Sequence, residues 1–149
     1  MDFEKTAKSV AQSAGRALGL LIAKSKSLGG MPYSVFTNLY NGTVWLVIAY
    51  GASVWGIKSY SCINAVQHRA MRFYLGLGKY TPTAALYGEL GWRPPHVKQW
   101  SSVARQWHRF SKMDISRLNY KVYAYCKTKS SSKCRNWQFY FNQHLGKLD

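Results

Sequence analysis

Apolar residues recur at helical spacing along most of this chain, and no stretch keeps up a strict alternation of apolar and polar positions. Between Glu4 and Leu28, Val10, Ala14, Ala17 and Leu21 share one stripe, with Ala7, Ala11, Leu18 and Ile22 beside it. Lys5, Lys8, Arg16 and Lys24 lie elsewhere, so the segment predicts an amphipathic helix. Its apolar residues are small, and Gly15 and Gly19 are expected to let a neighbouring helix approach closely. Gly29-Gly30 stops it.

Pro32 suits the first turn of a second helix. That helix carries Phe36, Leu39, Tyr40, Val44, Val47, Ile48, Gly51 and Trp55, apolar nearly all round, as expected of a helix enclosed by others. A third begins near Ser59 or Ser61, either a suitable N-cap, with Ile63, Val66, Ala70, Phe73 and Tyr74 inward and Gly76 at its end. Thr81 as N-cap and Pro82 as first residue start a fourth, which Gly91 closes. Pro94-Pro95 opens a fifth with Val97, Trp100, Ala104 and Trp107 inward. Asp114 or Ser116 caps a sixth, whose Leu118, Val122 and Tyr125 fall at i, i+4 and i+7. The run KTKSSSK (Lys127 to Lys133) reads as a flexible basic linker, and a last short helix holds Trp137, Phe141 and Leu145. The expected fold is all-α, a compact bundle of about six or seven helices. Residues 1–126 form its helical domain, and residues 127–149 a basic linker and short C-terminal helix.

Charge changes the picture. Lys plus Arg number 21 against 5 Asp plus Glu, for a formal charge of +16 over 149 residues. A compact chain with that excess repels itself, so a polyanionic partner is expected: RNA, DNA or a hybrid duplex. Apolar content of 47% and aromatic content of 15% are enough to fill a core and exclude a purely disordered basic tail. No charged residue occurs between Lys26 and Lys58, long enough to raise a membrane span. Thr37, Asn38, Asn41, Thr43 and Ser53 interrupt it, and basic residues flank both ends, so a buried helix is expected and no membrane. Cys62, Cys126 and Cys134 are odd in number and widely spaced, which fits a reducing compartment. The opening MDFEKTAKSV lacks the apolar core of a secretory leader, and a nuclear or cytoplasmic location is expected.

Four stretches occur in a telling order: YGASVWG (Tyr50 to Gly56), AVQHRAMRFYLGL (Ala65 to Leu77), TPTAALYGELGW (Thr81 to Trp92) and QWHRF (Gln106 to Phe110). Together they resemble the region just after the polymerase domain of non-LTR (LINE-type) retrotransposon reverse transcriptases, over roughly Ala7 to Val122. That family often has a Pro before the Tyr-Gly stretch, where this chain has Leu46. The resemblance implies a thumb-like helical region that cradles template–primer duplex or the element's own RNA. It also implies a fragment or degenerate copy of a longer polyprotein, whose polymerase domain would be a further partner.

The residues for such chemistry are not in the sequence. RNA-directed DNA polymerisation uses clustered carboxylates to hold two metal ions. The acids here are Asp2, Glu4, Glu89, Asp114 and Asp149, with no Asp-Asp pair. A non-enzymatic chain without catalytic residues is expected. Glu89 falls inside a family-like stretch, where a local ion pair or helix-end hydrogen bond accounts for it. Cys126 and Cys134 are too far apart for a zinc knuckle, so no metal is expected. The Gly76-Leu-Gly78 pair lacks the rest of a phosphate-loop pattern, and no cofactor is expected.

Phosphate contact requires long cations on a rigid surface. Arg69 and Arg72 on the third helix, Lys79 beyond its end, Lys98, Arg105 and Arg109 on the fifth, and Lys127, Lys129, Lys133 and Arg135 in the tail form the candidate set. Trp100 and Trp107 fit a core better than base stacking. Trp137, Phe139, Tyr140 and Phe141 are so crowded that one is expected to face outward. The leading expectation is a non-catalytic domain gripping a phosphate backbone. The alternatives are a degenerate or domesticated protein-interaction module, and a small membrane protein. A fragment would also expose apolar surface and self-associate.

Overall fold

The computed structural model describes residues 3–130 and 136–145, and these form an all-α fold. Helix α1 (Glu4–Ser27) buries Ala7, Ala11, Ala14, Leu18, Leu21 and Ser25. Steps of four and three alternate along that list, the period of a straight helix. Close packing against α5 and the segment 40–49 rests on the three alanines. Gly15 and Gly19 have no part in it, contrary to expectation: a Cβ on either would meet nothing within 4 Å.

The second rod comprises α2 (Tyr33–Leu39), a π-helical segment (Tyr40–Trp45) and α3 (Leu46–Ala49). Its buried residues, Phe36, Tyr40, Val44 and Ile48, recur strictly every fourth position. On an α-helix each such step drifts by about 40° around the axis. The wider π turn takes up that drift and keeps the four on one face. Thr43 Oγ1 donates to the Leu39 carbonyl at 2.7 Å inside this turn.

The expected continuation of this helix to Trp55 is broken. Tyr50 is extended (ψ 118°), Gly51 is left-handed (φ +65°), and α4 (Ala52–Trp55) starts afresh. The Trp55 indole donates to the Tyr50 carbonyl at 3.0 Å and braces the break. Among the described residues no helix is long and apolar enough to cross a membrane.

Helix α5 (Ser61–Leu75) has Tyr60 at its N-cap in place of either serine, and Ser59 Oγ instead accepts from Asn64 Nδ2 at 3.3 Å. Ile63, Val66 and Ala70 are buried as expected, joined by Gln67 and Met71. Tyr74 stacks on Phe36 with ring centroids 5.0 Å apart. Helix α6 (Thr83–Leu90) is capped by Pro82, one residue later than expected, and ends at Gly91 (φ +62°). Tyr33 donates its hydroxyl to the Leu90 carbonyl at 2.6 Å, and Trp92 lies on Tyr40 at 4.5 Å.

Helix α7 (Pro95–Ser111) buries Pro95, Gln99 and Val103. Its inner face is therefore rotated from the expected one: Val97 and Ala104 are exposed, while Trp100 and Trp107 are half-buried. Helix α8 (Leu118–Thr128) buries none of its residues, and Leu118, Val122 and Tyr125 face outward. Arg117 is its N-cap; Asp114 accepts from the Ser116 backbone N–H at 2.7 Å in the turn before it. The helix includes Lys127 and Thr128, the start of the expected linker, of which Lys133 lies outside the described residues. In α9 (Trp137–Leu145), Phe141 is stacked between Trp107 (5.0 Å) and Trp137 (5.6 Å).

Two cores result. The larger lies among α1 to α6 and includes Trp55 and Trp92; the smaller holds Ile57, Val103 and Phe141 with Trp100, Trp107 and Trp137 around them. They adjoin at Trp55-Gly56-Ile57. A Cβ on Gly56 would fall 2.5 Å from the Ala52 carbonyl oxygen and 3.0 Å from Gln99 Cβ. The bare glycine lets the end of α4 press against α7.

Candidate nucleic-acid interface

Lys98, Arg105 and Arg109 fall at i, i+7 and i+11 on α7, which places them along one face. Arg105 and Arg109 are exposed, and Arg105 Nε donates to the Ser101 carbonyl at 3.0 Å, anchoring it along the helix. Lys98 is different. It is half-buried, its ammonium donates to Asn41 Oδ1 at 3.3 Å, and it lies 4.6 Å over the Trp45 ring. Burial, and then the neighbouring Arg93, lower its pKa from the usual lysine value. Both partners of Lys98 come from the π-helical segment, so that turn positions the base of the cationic face.

The face continues past the helix end. His108, Arg109, Lys112, Met113, Asp114 and Arg117 line a shallow basin of about 380 Å³ at the α7–α8 turn. Its one carboxylate is engaged: the Ser116 backbone N–H, and then its side chain, hold Asp114 below the usual carboxylate range.

On α5 the two arginines differ. Arg69 is exposed. Arg72 is half-buried and its Nη2 donates to the Thr81 carbonyl at 3.3 Å, so it clasps the turn between α5 and α6. Its Nε is buried without a partner among the described residues. Beside it, His68 Nε2 and the Tyr87 hydroxyl are 3.0 Å apart. Burial, and then Arg72, lower the His68 pKa. Lys79 stands on the exposed turn, 5.1 Å over the ring of Tyr80, which is 89% exposed. Lys127 and Lys129 are exposed at the end of α8; Lys133 and Arg135 lie outside the described residues. Among the described residues none of these cations is ion-paired to a carboxylate, and the pair Lys8–Glu4 (2.8 Å) is on α1.

The α7 cations and the basin form one contiguous basic surface, with Arg69 and Lys79 on a separate element. Arg93, Lys112, Arg117 and Tyr80 join the candidate residues only in the fold. Lys112 follows Arg109 at i+3 and was readable from helical spacing; Arg117 lies across a turn whose geometry spacing does not give. The aromatic residues are largely committed elsewhere. Trp92 is buried on Tyr40, and none of Trp137, Phe139, Tyr140 and Phe141 is fully exposed. Glu89 is exposed on α6. Cys62 and Cys126 are free, half-buried thiols, and no group of three metal-ligating side chains occurs among the described residues.

No protein-family model, curated protein or solved structure matches the chain.

Proposed function

We propose that this chain is a non-catalytic nucleic-acid-binding segment, akin to the post-polymerase region of LINE-type reverse transcriptases, that grips a duplex by its phosphate backbone. The observation that carries this reading is the cationic face of α7 running into the basin of Lys112 and Arg117, where the cations outnumber the one carboxylate, Asp114. Long cations on a rigid helix match a row of phosphates, whose contacts position a protein without reading sequence. Lys98 and Arg72 serve the grip indirectly, by holding the α7 and α5–α6 surfaces in place. Arg69, Lys79 and the α8 cations Lys127 and Lys129 extend the contact at its margins. Tyr80 offers a ring to an unpaired base beside Lys79.

Anisotropy of a labelled RNA–DNA duplex across a salt series tests this. Engagement of about five phosphates gives a log–log slope near −4.5. Arg105→Ala with Arg109→Ala is expected to weaken binding and to make the slope shallower by about two, one for each lost contact. Absence of binding at low salt by the folded chain, or an unchanged slope in the double variant, overturns the reading.

A further inference from the structure

Helix α8 carries an apolar stripe that no other helix covers among the described residues. Ile115 just before it, then Leu118, Val122 and Tyr125, recur at helical spacing and are 71%, 73%, 54% and 64% exposed. An amphipathic pattern of this kind ordinarily faces a core, and a contiguous exposed one marks an interaction surface. The stripe borders a groove of about 270 Å³, walled by Leu118 and Val122 from α8, Val54 from α4, Phe110 from α7 and Trp137 from α9. That volume is just under the roughly 300 Å³ at which small-molecule sites begin, so the groove suits a few side chains of a partner better than a whole ligand. Gln138 also lines it. It is 3% exposed, donates through Nε2 to Asn142 Oδ1 at 3.0 Å, and keeps an Oε1 with no partner among the described residues.

Charge selects the occupant. Arg117 and Lys121 stand exposed beside the stripe, and α8 has no acidic residue. A second copy of a chain carrying +16 would bring like-charged rims face to face. We infer that the groove docks an acidic amphipathic helix of a partner protein. Its apolar residues at i, i+4 and i+7 enter between α8 and Trp137, and its carboxylates meet Arg117 and Lys121. The apolar lining of the groove is separate from the phosphate-gripping face, since Gln106 and Phe110, not Arg105 and Arg109, are its α7 residues, and the two surfaces share Arg117 at their common edge.

The test uses the full chain and a labelled helical peptide of about 15 residues, with Leu, Trp and Leu at i, i+4 and i+7 and Glu on the other face. A scrambled peptide of the same composition and charge is the control. The ordered peptide is expected to bind at least about tenfold more tightly than the scramble. Leu118→Ser with Val122→Ser, which leaves the charge unchanged and removes only exposed side chains, is expected to abolish that difference while duplex binding stays as it was. Equal binding of the two peptides, or an unchanged preference in the double variant, overturns the inference. So does a dimer in sedimentation that the same double variant dissolves, which would assign the groove to a second copy.

Discussion

His68 shares a hydrogen bond with Tyr87 and lies beside Arg72, under the turn that Arg72 clasps. Burial first, and the arginine second, disfavour its charged form, so its folded pKa lies below the ordinary value of 6.5. As pH falls from about 7.5 to about 5.5 the unfolded chain takes up the proton more readily than the folded one, and stability drops. The contribution is present above the unfolded pKa and is lost as pH falls toward the folded one. Thermal unfolding across that range is expected to show a smaller loss of Tm for His68→Gln than for the parent chain. Parallel curves would mean that the neutral imidazole is not what the turn requires. At this scale the sequence shows which residues are cations, but not what they are doing. Arg69 and Arg72 look alike at three residues apart, yet only the second finds a carbonyl 3.3 Å away. Lys98 looks like Arg105 and Arg109, and only its neighbours from a distant segment, Asn41 and Trp45, set it apart.

Among the elements, helix starts and stops marked by Pro and Gly were legible because they are local: Pro95 opens α7, and Gly76 and Gly91 take left-handed backbone after α5 and α6. Facing was less so, because it depends on what arrives from elsewhere. The stripe of α8 is a sound amphipathic pattern that meets no core. The fourfold spacing from Phe36 to Ile48 did carry a signal, since a period of four is too long for a straight α-helix and the π turn is its structural answer. The YGASVWG stretch has two glycines with different duties. Gly51→Ala adds a Cβ in ordinary van der Waals contact with the Trp55 ring at 3.6 Å, and its cost comes from φ +65°, about 1–2 kcal/mol. Gly56→Ala forces a methyl against a backbone oxygen and against α7, for about 1–3 kcal/mol. Denaturant unfolding measures both losses. Near-ultraviolet circular dichroism is expected to separate them, with the Trp100, Trp107 and Trp137 signal disturbed by Gly56→Ala and spared by Gly51→Ala.

For the whole molecule, the all-α class was readable from periodicity and the polyanion expectation from charge. The division of the apolar residues into two clusters was not, since Ile57, Val103 and Phe141 are far apart in sequence and meet only in the fold. The clusters adjoin at Gly56, and the polar contacts of Lys98 with Asn41, of Gln67 with the Arg93 carbonyl and of Trp137 with the Ser53 carbonyl also cross between the two sides. The smaller cluster buries far fewer apolar residues than the larger, so it is expected to open first. In native-state hydrogen exchange, the α9 amides are therefore expected to exchange together through a sub-global opening, while those of α1 and α5 wait for global unfolding. A single rate regime across both regions would contradict this. The Trp137 indole donates to the Ser53 carbonyl at 3.0 Å, so the same opening exposes the inner wall of the groove beside α8. Whatever fills that groove would then act as a staple, converting a molecule with two breathing halves into one cooperative unit.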